Sequence, residues 1–321
     1  MKELTCFVKN VYGKKKKGGI TLKDILKLAR KMYRTNNARE ARRMVVFLVR
    51  SVLHKSQMDE IDEFFNESAL RKEVAENYPF VYEQPTRAFF YAGAGFEERK
   101  NLLFEHFLFL EKTMKPKQIV AIYSEEEILL HKIKFDTDEL RFILRFYPGL
   151  RKEGLLSLCL KLNERDLYQV VFWLGEDSEN KPSLFIGAMQ GPNGNDAKDT
   201  VKRVTKLCSG YRTKNLSIFL TRAFARVFGV QRIYAVTNGG YYANNHIRLD
   251  RKLKTSFEDF WKEVGGEPTG DSRFYALPLT EARKSENEIP TRKRAVYRRR
   301  FQMLDEVEEN LTEALQKLKI K

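Results

Sequence analysis

Cysteine is scarce in this 321-residue chain. Cys6, Cys159 and Cys208 are odd in number and far apart, and no CxxC or Cys/His spacing occurs. That argues against a disulfide framework and against a structural zinc site, so no metal ligands are assigned. A reducing cytoplasm is the simplest home. Long apolar runs are also missing. None approaches the roughly 18–20 residues that span a bilayer. The best, residues 44–49, is short and has arginines on both sides. The N-terminus has no apolar core followed by a small-residue cleavage site, so no signal peptide is expected. Acidic residues are nearly absent from one region. Residues 1–55 hold sixteen Lys/Arg against Glu3, Asp24 and Glu40, whereas the remaining chain holds 43 basic and 40 acidic residues. Of the net charge of +16, +13 therefore belongs to the N-terminal segment, and so does the partner it implies.

What is present is ample core material. At 42% hydrophobic, the chain is too apolar to be disordered and long enough for one large domain, or for a core with a smaller companion. Three segments are expected. Residues 1–55 form a basic amphipathic helical segment, residues 56–137 a helical region packing on the core, and residues 138–321 a mixed α/β core with a C-terminal helix. Thr21 and Asp24 have the spacing of a helix cap. Ile25, Leu26, Ala29 and Met32 follow at helical spacing, with Lys23, Lys27, Arg30 and Lys31 opposite. A second helix over 38–54 is expected to turn Ala41, Val45, Leu48, Val49 and Val52 inward. Further helices are expected over 58–76 and 96–114.

From residue 138 the period becomes that of strands. Segments 139–147, 154–162, 167–174 and 183–189, joined by short turns, predict an antiparallel meander. A long crossover with room for two helices, 199–209 and 216–228, leads to a fifth strand at 232–237. Such a crossover sets the fourth and fifth strands parallel, with both C-terminal ends on one edge, where open α/β sheets bind ligands. A sixth strand is expected at 273–279. A final helix over 290–319 carries Leu304, Val307, Leu311, Leu315 and Leu318 on one face.

The ligand edge supplies the candidate site. Gln190 and Gly191 end the fourth strand, where an amide and a bare backbone suit a substrate or a pantetheine arm. Lys206, Arg212 and Lys214 flank Gly210, a glycine-bearing basic loop suited to an anion. Asn238 ends the fifth strand and suits a substrate carbonyl. His246, nearby in sequence, suits a general base. Cys208 lacks a neighbouring base and reads as a buried helix residue.

Several motifs resemble the VirK/YbjX proteins of Gram-negative bacteria. They are Phe185 to Pro192, the Gly210-Tyr-Arg-Thr-Lys214 loop, Ala235 to Asn238, Phe257-x-x-Phe-Trp261, Phe274 to Pro278, and Ile289 to Arg300. The likeness is dense over 147–304. It implies an intracellular bacterial protein linked to virulence, envelope stress and resistance to antimicrobial peptides, without an assigned reaction. The order of elements is also similar to the GNAT acyltransferases, in which acyl-coenzyme A enters between splayed parallel strands. The usual Gln/Arg-x-x-Gly-x-Gly/Ala loop is absent here.

Three functional readings follow. The first is a GNAT-like acyltransferase using acyl-coenzyme A, with Gln190, Arg212, Lys214 and Asn238 in the cleft. The second is a non-catalytic protein that binds a partner or lies peripherally on an anionic inner-membrane surface through residues 20–54. The third, a nucleic-acid-associated regulator using 292–300, is least favoured, because that cluster runs into the acids at 305–309.

Overall fold

Helices come first in the computed structural model, in which residues 19–34, 36–244 and 256–320 are described. α1 (Leu22–Met32) starts at the predicted cap. Thr21 Oγ1 accepts from the Asp24 amide and Asp24 accepts from the Thr21 amide, both at 3.2 Å. α2 (Ala38–Leu53) is capped by the Asn37 side chain, which accepts from the Arg39 amide at 2.9 Å. The single helix predicted over 58–76 is two, α3 (Lys55–Glu67) and α4 (Ala69–Asn77). Ser68 separates them in extended conformation, with its hydroxyl accepting from the Arg71 amide. α5 (Phe96–Thr113) and α6 (Pro116–Tyr123) complete this layer.

The meander is one strand longer than the sequence reading. β1 (Ile128–Lys134) lies inside the stretch read as helical, and β2 (Glu139–Arg145), β3 (Leu156–Leu162), β4 (Arg165–Glu176) and β5 (Pro182–Gln190) follow. All four successive pairs are antiparallel. The crossover holds α7 (Ala197–Leu207) and α8 (Thr213–Val227) and returns in β6 (Arg232–Val236). β6 runs parallel to β5, with Ser183 opposite Arg232 and Ile186 opposite Ala235. After α9 (Phe257–Glu263), a two-residue β7 (Glu267–Pro268) and β8 (Phe274–Leu277) close the sheet in the order β1-β2-β3-β4-β5-β6-β8-β7. The chain ends in the 25-residue α10 (Arg294–Leu318).

β4 shows how the layers are arranged. Neighbouring residues on a strand face opposite sides. Phe172 meets Phe224 of α8 with ring centroids 5.3 Å apart, while Trp173 meets Phe90 at 5.2 Å on the other side. α8 therefore covers one face, and α5 with the 89–91 segment covers the other, a three-layer α/β/α arrangement. The predicted stripe of α10 is buried, and this helix packs against α8 and β1.

A buried polar chain ties the N-terminal helices to the sheet. His106 Nδ1 accepts from the Leu174 amide at 3.1 Å, so the ring proton sits on Nε2 and is donated to Tyr123 Oη at 2.8 Å. Tyr123 donates in turn to the Leu155 carbonyl at 2.9 Å. Burial lowers the His106 pKa to about 3, so the ring stays neutral and both nitrogens are used.

Candidate functional site

The parallel pairing of β5 and β6 runs only from Ser183 to Ile186; β5 continues to Gln190 beside β4 alone. The two strands thus part beyond Ile186, and other parts of the chain pack against β5 just past that point. A Cβ added at Gly187 would lie 1.8 Å from the Glu153 carbonyl oxygen, so main chain presses directly on the glycine. Tyr241 donates to Glu153 Oε1 at 3.1 Å, and Tyr241 also bridges to Tyr91. Glu153 is 5% exposed, and its burial raises the carboxyl pKa to about 7, against the lowering effect of the Tyr241 hydroxyl.

The residues assigned to that edge are largely engaged elsewhere. Gln190 is exposed and stands opposite Gln169, and Gly191 packs beside the Tyr168 ring. Asn238 does not face an opening: its Oδ1 accepts from the Phe257 amide at 2.9 Å, its own amide donates to Glu258 at 2.8 Å, and its carbonyl accepts from Asn244 at 3.1 Å. It is a junction between β6 and α9. His246 lies outside the described residues, and no role for it is drawn from the geometry.

The basic loop is tied to neighbouring elements. Arg212 pairs with Glu263 at 2.5 Å, and Lys214 Nζ lies 3.6 Å from the centre of the Phe260 ring. Both cations therefore fasten α9 to the start of α8. Lys206 is exposed in the last turn of α7. Gly210, at φ +74°, follows Ser209 at φ +52°, a double left-handed step that explains the glycine. The step aims the Ser209 carbonyl at Arg300, whose Nε and Nη2 both donate to it at 3.2 Å. Two motifs about ninety residues apart thus meet. Beside them lies a cavity of about 210 Å³ lined in part by Tyr211, Arg222, Glu281, Lys284 and Arg300. Arg222 was missed by sequence reasoning. Its signal was an arginine next to Phe219, Leu220, Ala223 and Phe224 in α8.

The N-terminal surface gives a larger correction. Val45, Val49 and Val52, predicted to face inward, are 55%, 52% and 52% exposed, and Leu53 is 73% exposed. Phe47 and Ser51 take the buried face, with Met44 and Leu48 partly buried. The valines recur at i, i+4 and i+7, one continuous outward stripe. The side chains of Arg39 and Arg42 make no hydrogen bond or ion pair with any described residue, and both are exposed next to it. Arg43 is held by Glu40 at 2.7 Å, and Arg50 donates to the Thr86 carbonyl at 2.6 Å. No helix among the described residues is long and apolar enough to cross a membrane.

A family model described as "Protein of unknown function (DUF535)" matches residues 36–313. The chain belongs to this family. Among its relatives, Escherichia coli (strain K12) "Uncharacterized protein YbjX" is 29% identical over 207 residues, 63% of this chain and 62% of that protein. The chain thus spans just under two thirds of that relative's length. An "Uncharacterized protein" of Haemophilus influenzae is 23% identical over 272 residues, covering 83% of this chain and 87% of that one. A third relative, "Membrane protein LapB" of Mannheimia haemolytica, is 32% identical over 78 residues, 24% of this chain and 34% of its own. The DUF535 match begins inside the N-terminal helical layer and ends within α10, so it takes in α2 and the whole sheet. The expected VirK/YbjX membership of this DUF535 chain is thereby established.

Proposed function

We propose that the chain is a peripheral membrane-docking protein that lies on an anionic lipid surface through α1 and α2. The observation that carries this reading is the outward stripe of Val45, Val49 and Val52 beside Arg39 and Arg42. An apolar strip facing water, flanked by unpaired cations, is the arrangement of an interfacial helix. The basic surplus of residues 1–55 supplies the complementary charge. Each Lys or Arg near such a surface contributes about 1 kcal/mol, and burying a half-exposed valine contributes about the same. Neither term alone gives stable attachment, but together they do. The name "Membrane protein LapB" of one relative points the same way. A place on the inner membrane face accommodates the link to envelope stress, virulence and antimicrobial-peptide resistance that the family resemblance implies. Acyl transfer is a second reading, with less behind it, because Glu153 and its partner Tyr241 pack against β5 just past its pairing with β6.

Flotation with vesicles tests the proposal. The chain is expected to float with vesicles containing phosphatidylglycerol and to stay behind with phosphatidylcholine alone. It should detach as salt rises toward about 1 M, where the screening length falls to roughly 3 Å. Equal behaviour with both lipids would remove the electrostatic half of the reading. No flotation in either would remove the whole of it.

A further inference from the structure

The cavity between α8, the 280–284 segment and α10 belongs neither to the membrane-facing helices nor to the edge of the sheet. Arg222 forms part of its lining. This side chain is 2% exposed, and its Nε and Nη2 donate to the Pro278 and Val264 carbonyls at 2.8 and 2.6 Å. Its Nη1 makes no hydrogen bond to any described residue, and the residue lines the cavity. A guanidinium this deeply buried, held by two carbonyls on one edge, carries a donor on the other edge with no acceptor among the described residues. Leaving such a group unmatched is costly unless water or a ligand accepts from it.

The neighbouring cations repeat the pattern. Arg300 spends Nε and Nη2 on Ser209 and lies over the Tyr297 ring at 4.3 Å, which fixes its plane. Its Nη1 has no partner among the described residues. Lys284, on the rim, makes no hydrogen bond or ion pair with any described residue. The other two cations of the lining are already matched, Arg226 by Glu308 and Arg283 by Asp305. That leaves Arg222, Arg300 and Lys284 facing a single acid, Glu281, which accepts from the Tyr211 hydroxyl. The surplus corresponds to two positive charges and at least three unspent donors converging on one small space.

We infer that this cavity is a binding site for a phosphomonoester, with Arg222 at its floor, Arg300 on its wall and Lys284 at its mouth. A phosphomonoester carries a charge between about −1.5 and −2 and three acceptor oxygens, which matches the surplus in both charge and donor number. A carboxylate matches neither, since it brings one charge and two oxygens. The forked geometry of two arginines suits tetrahedral phosphate better than lysines alone. The same chemistry is offered by a soluble phosphorylated metabolite and by the headgroup of phosphatidic acid.

Calorimetric titration of the full chain with inorganic phosphate and glycerol 3-phosphate tests this, with acetate and glycerol as controls. Saturable binding of both phosphates at millimolar concentration or below is expected, with none for the controls. Arg300→Gln and Lys284→Gln should each weaken it by about tenfold, the value of one charge-assisted hydrogen bond. Arg222→Lys should abolish it. Should that buried variant fail to fold, the exposed Lys284→Gln, which removes no internal contact, still decides. No binding by the folded wild-type chain, or acetate binding as tightly as phosphate, overturns the inference. The source of the ligand is read in a chain carrying Val45→Ser, Val49→Ser and Val52→Ser. Capture by phosphatidic acid vesicles that is lost on adding Lys284→Gln assigns the cavity to the lipid headgroup. Binding of soluble phosphate without such capture assigns it to a metabolite. Either result is independent of whether α2 docks on membranes.

Discussion

Phe47 and Val49 lie two residues apart on α2 and face opposite surroundings, Phe47 at 0% exposure and Val49 at 52%. The helix therefore has two apolar faces, and only one of them serves the fold. Removing each should have unlike consequences. Phe47→Ala should lose about 3–5 kcal/mol of stability, as a large aromatic deleted from a packed core does. Val49→Ser should change stability by less than about 0.5 kcal/mol. Chemical denaturation of the two variants checks this. Equal losses would mean that the outward stripe is part of the core after all.

The main chain at Gly187 gives a second contrast. Its added Cβ would meet the Glu153 carbonyl oxygen at 1.8 Å, whereas at Gly239 the nearest atom, Thr237 Oγ1, stands 3.7 Å away. Gly187→Ala must displace backbone and should cost at least about 3 kcal/mol, beyond ordinary overpacking. Gly239→Ala should fall within about 0.5 kcal/mol of the parent. Melting temperatures of the pair test the close approach of the Glu153 main chain to β5.

Glu153 predicts a pH signature. Its carboxyl pKa is raised from 4.5 to about 7 in the folded chain. Below about pH 4.5 the group is protonated in both states and contributes nothing to pH dependence. Between 4.5 and 7 the folded chain keeps a proton that the unfolded chain releases, so stability falls as pH rises. Above about 7 the full penalty remains, on the order of 3 kcal/mol. Glu153→Gln keeps an acceptor for Tyr241 and removes the ionisation. The stability of the variant relative to the parent should climb across that window and level off above it. A flat difference would contradict the burial assigned to the carboxyl.

A half-buried ion network on the sheet makes a further prediction. Arg145 reaches Asp166 at 2.5 Å and Gln169 at 2.8 Å, and it also bonds Glu127, which Lys161 shares at 2.9 Å. Arg145→Ala should cost about 2 kcal/mol, less than the ~3–5 of a fully buried pair, because Glu127 and Asp166 keep access to water. Denaturation at neutral pH measures it. A neutral substitution would show that the network adds nothing to stability.

The sequence made the local features legible. The Thr21–Asp24 cap, the Leu304-to-Leu318 stripe and the parallel return of β6 depend on spacing within one element or one crossover, and each is present. β1 escaped because Ile128–Lys134 lies at the sheet edge and breaks its alternation between Leu129 and His131, with Leu129 exposed and His131 and Lys132 among its apolar residues, so no strand period stands out. The orientation of α2 escaped for another reason. Periodicity finds an apolar stripe but does not say which of two stripes meets the core. The partners of Arg212, Lys214 and Arg300 lie some fifty to ninety residues away, at Glu263, Phe260 and Ser209. Such pairings are products of the fold, and a cationic loop reads as free until its neighbours are known.

If the valine face of α2 enters a lipid surface, a fluorescent reporter placed on that face reads the entry itself. Val49→Trp places an indole where the side chain is half exposed, while the native Trp173 and Trp261 are fully buried and give a constant background. Adding phosphatidylglycerol vesicles should shift its emission to the blue and let brominated acyl chains quench it. Emission that stays unshifted and unquenched while the protein is bound to the vesicles would contradict entry of that face.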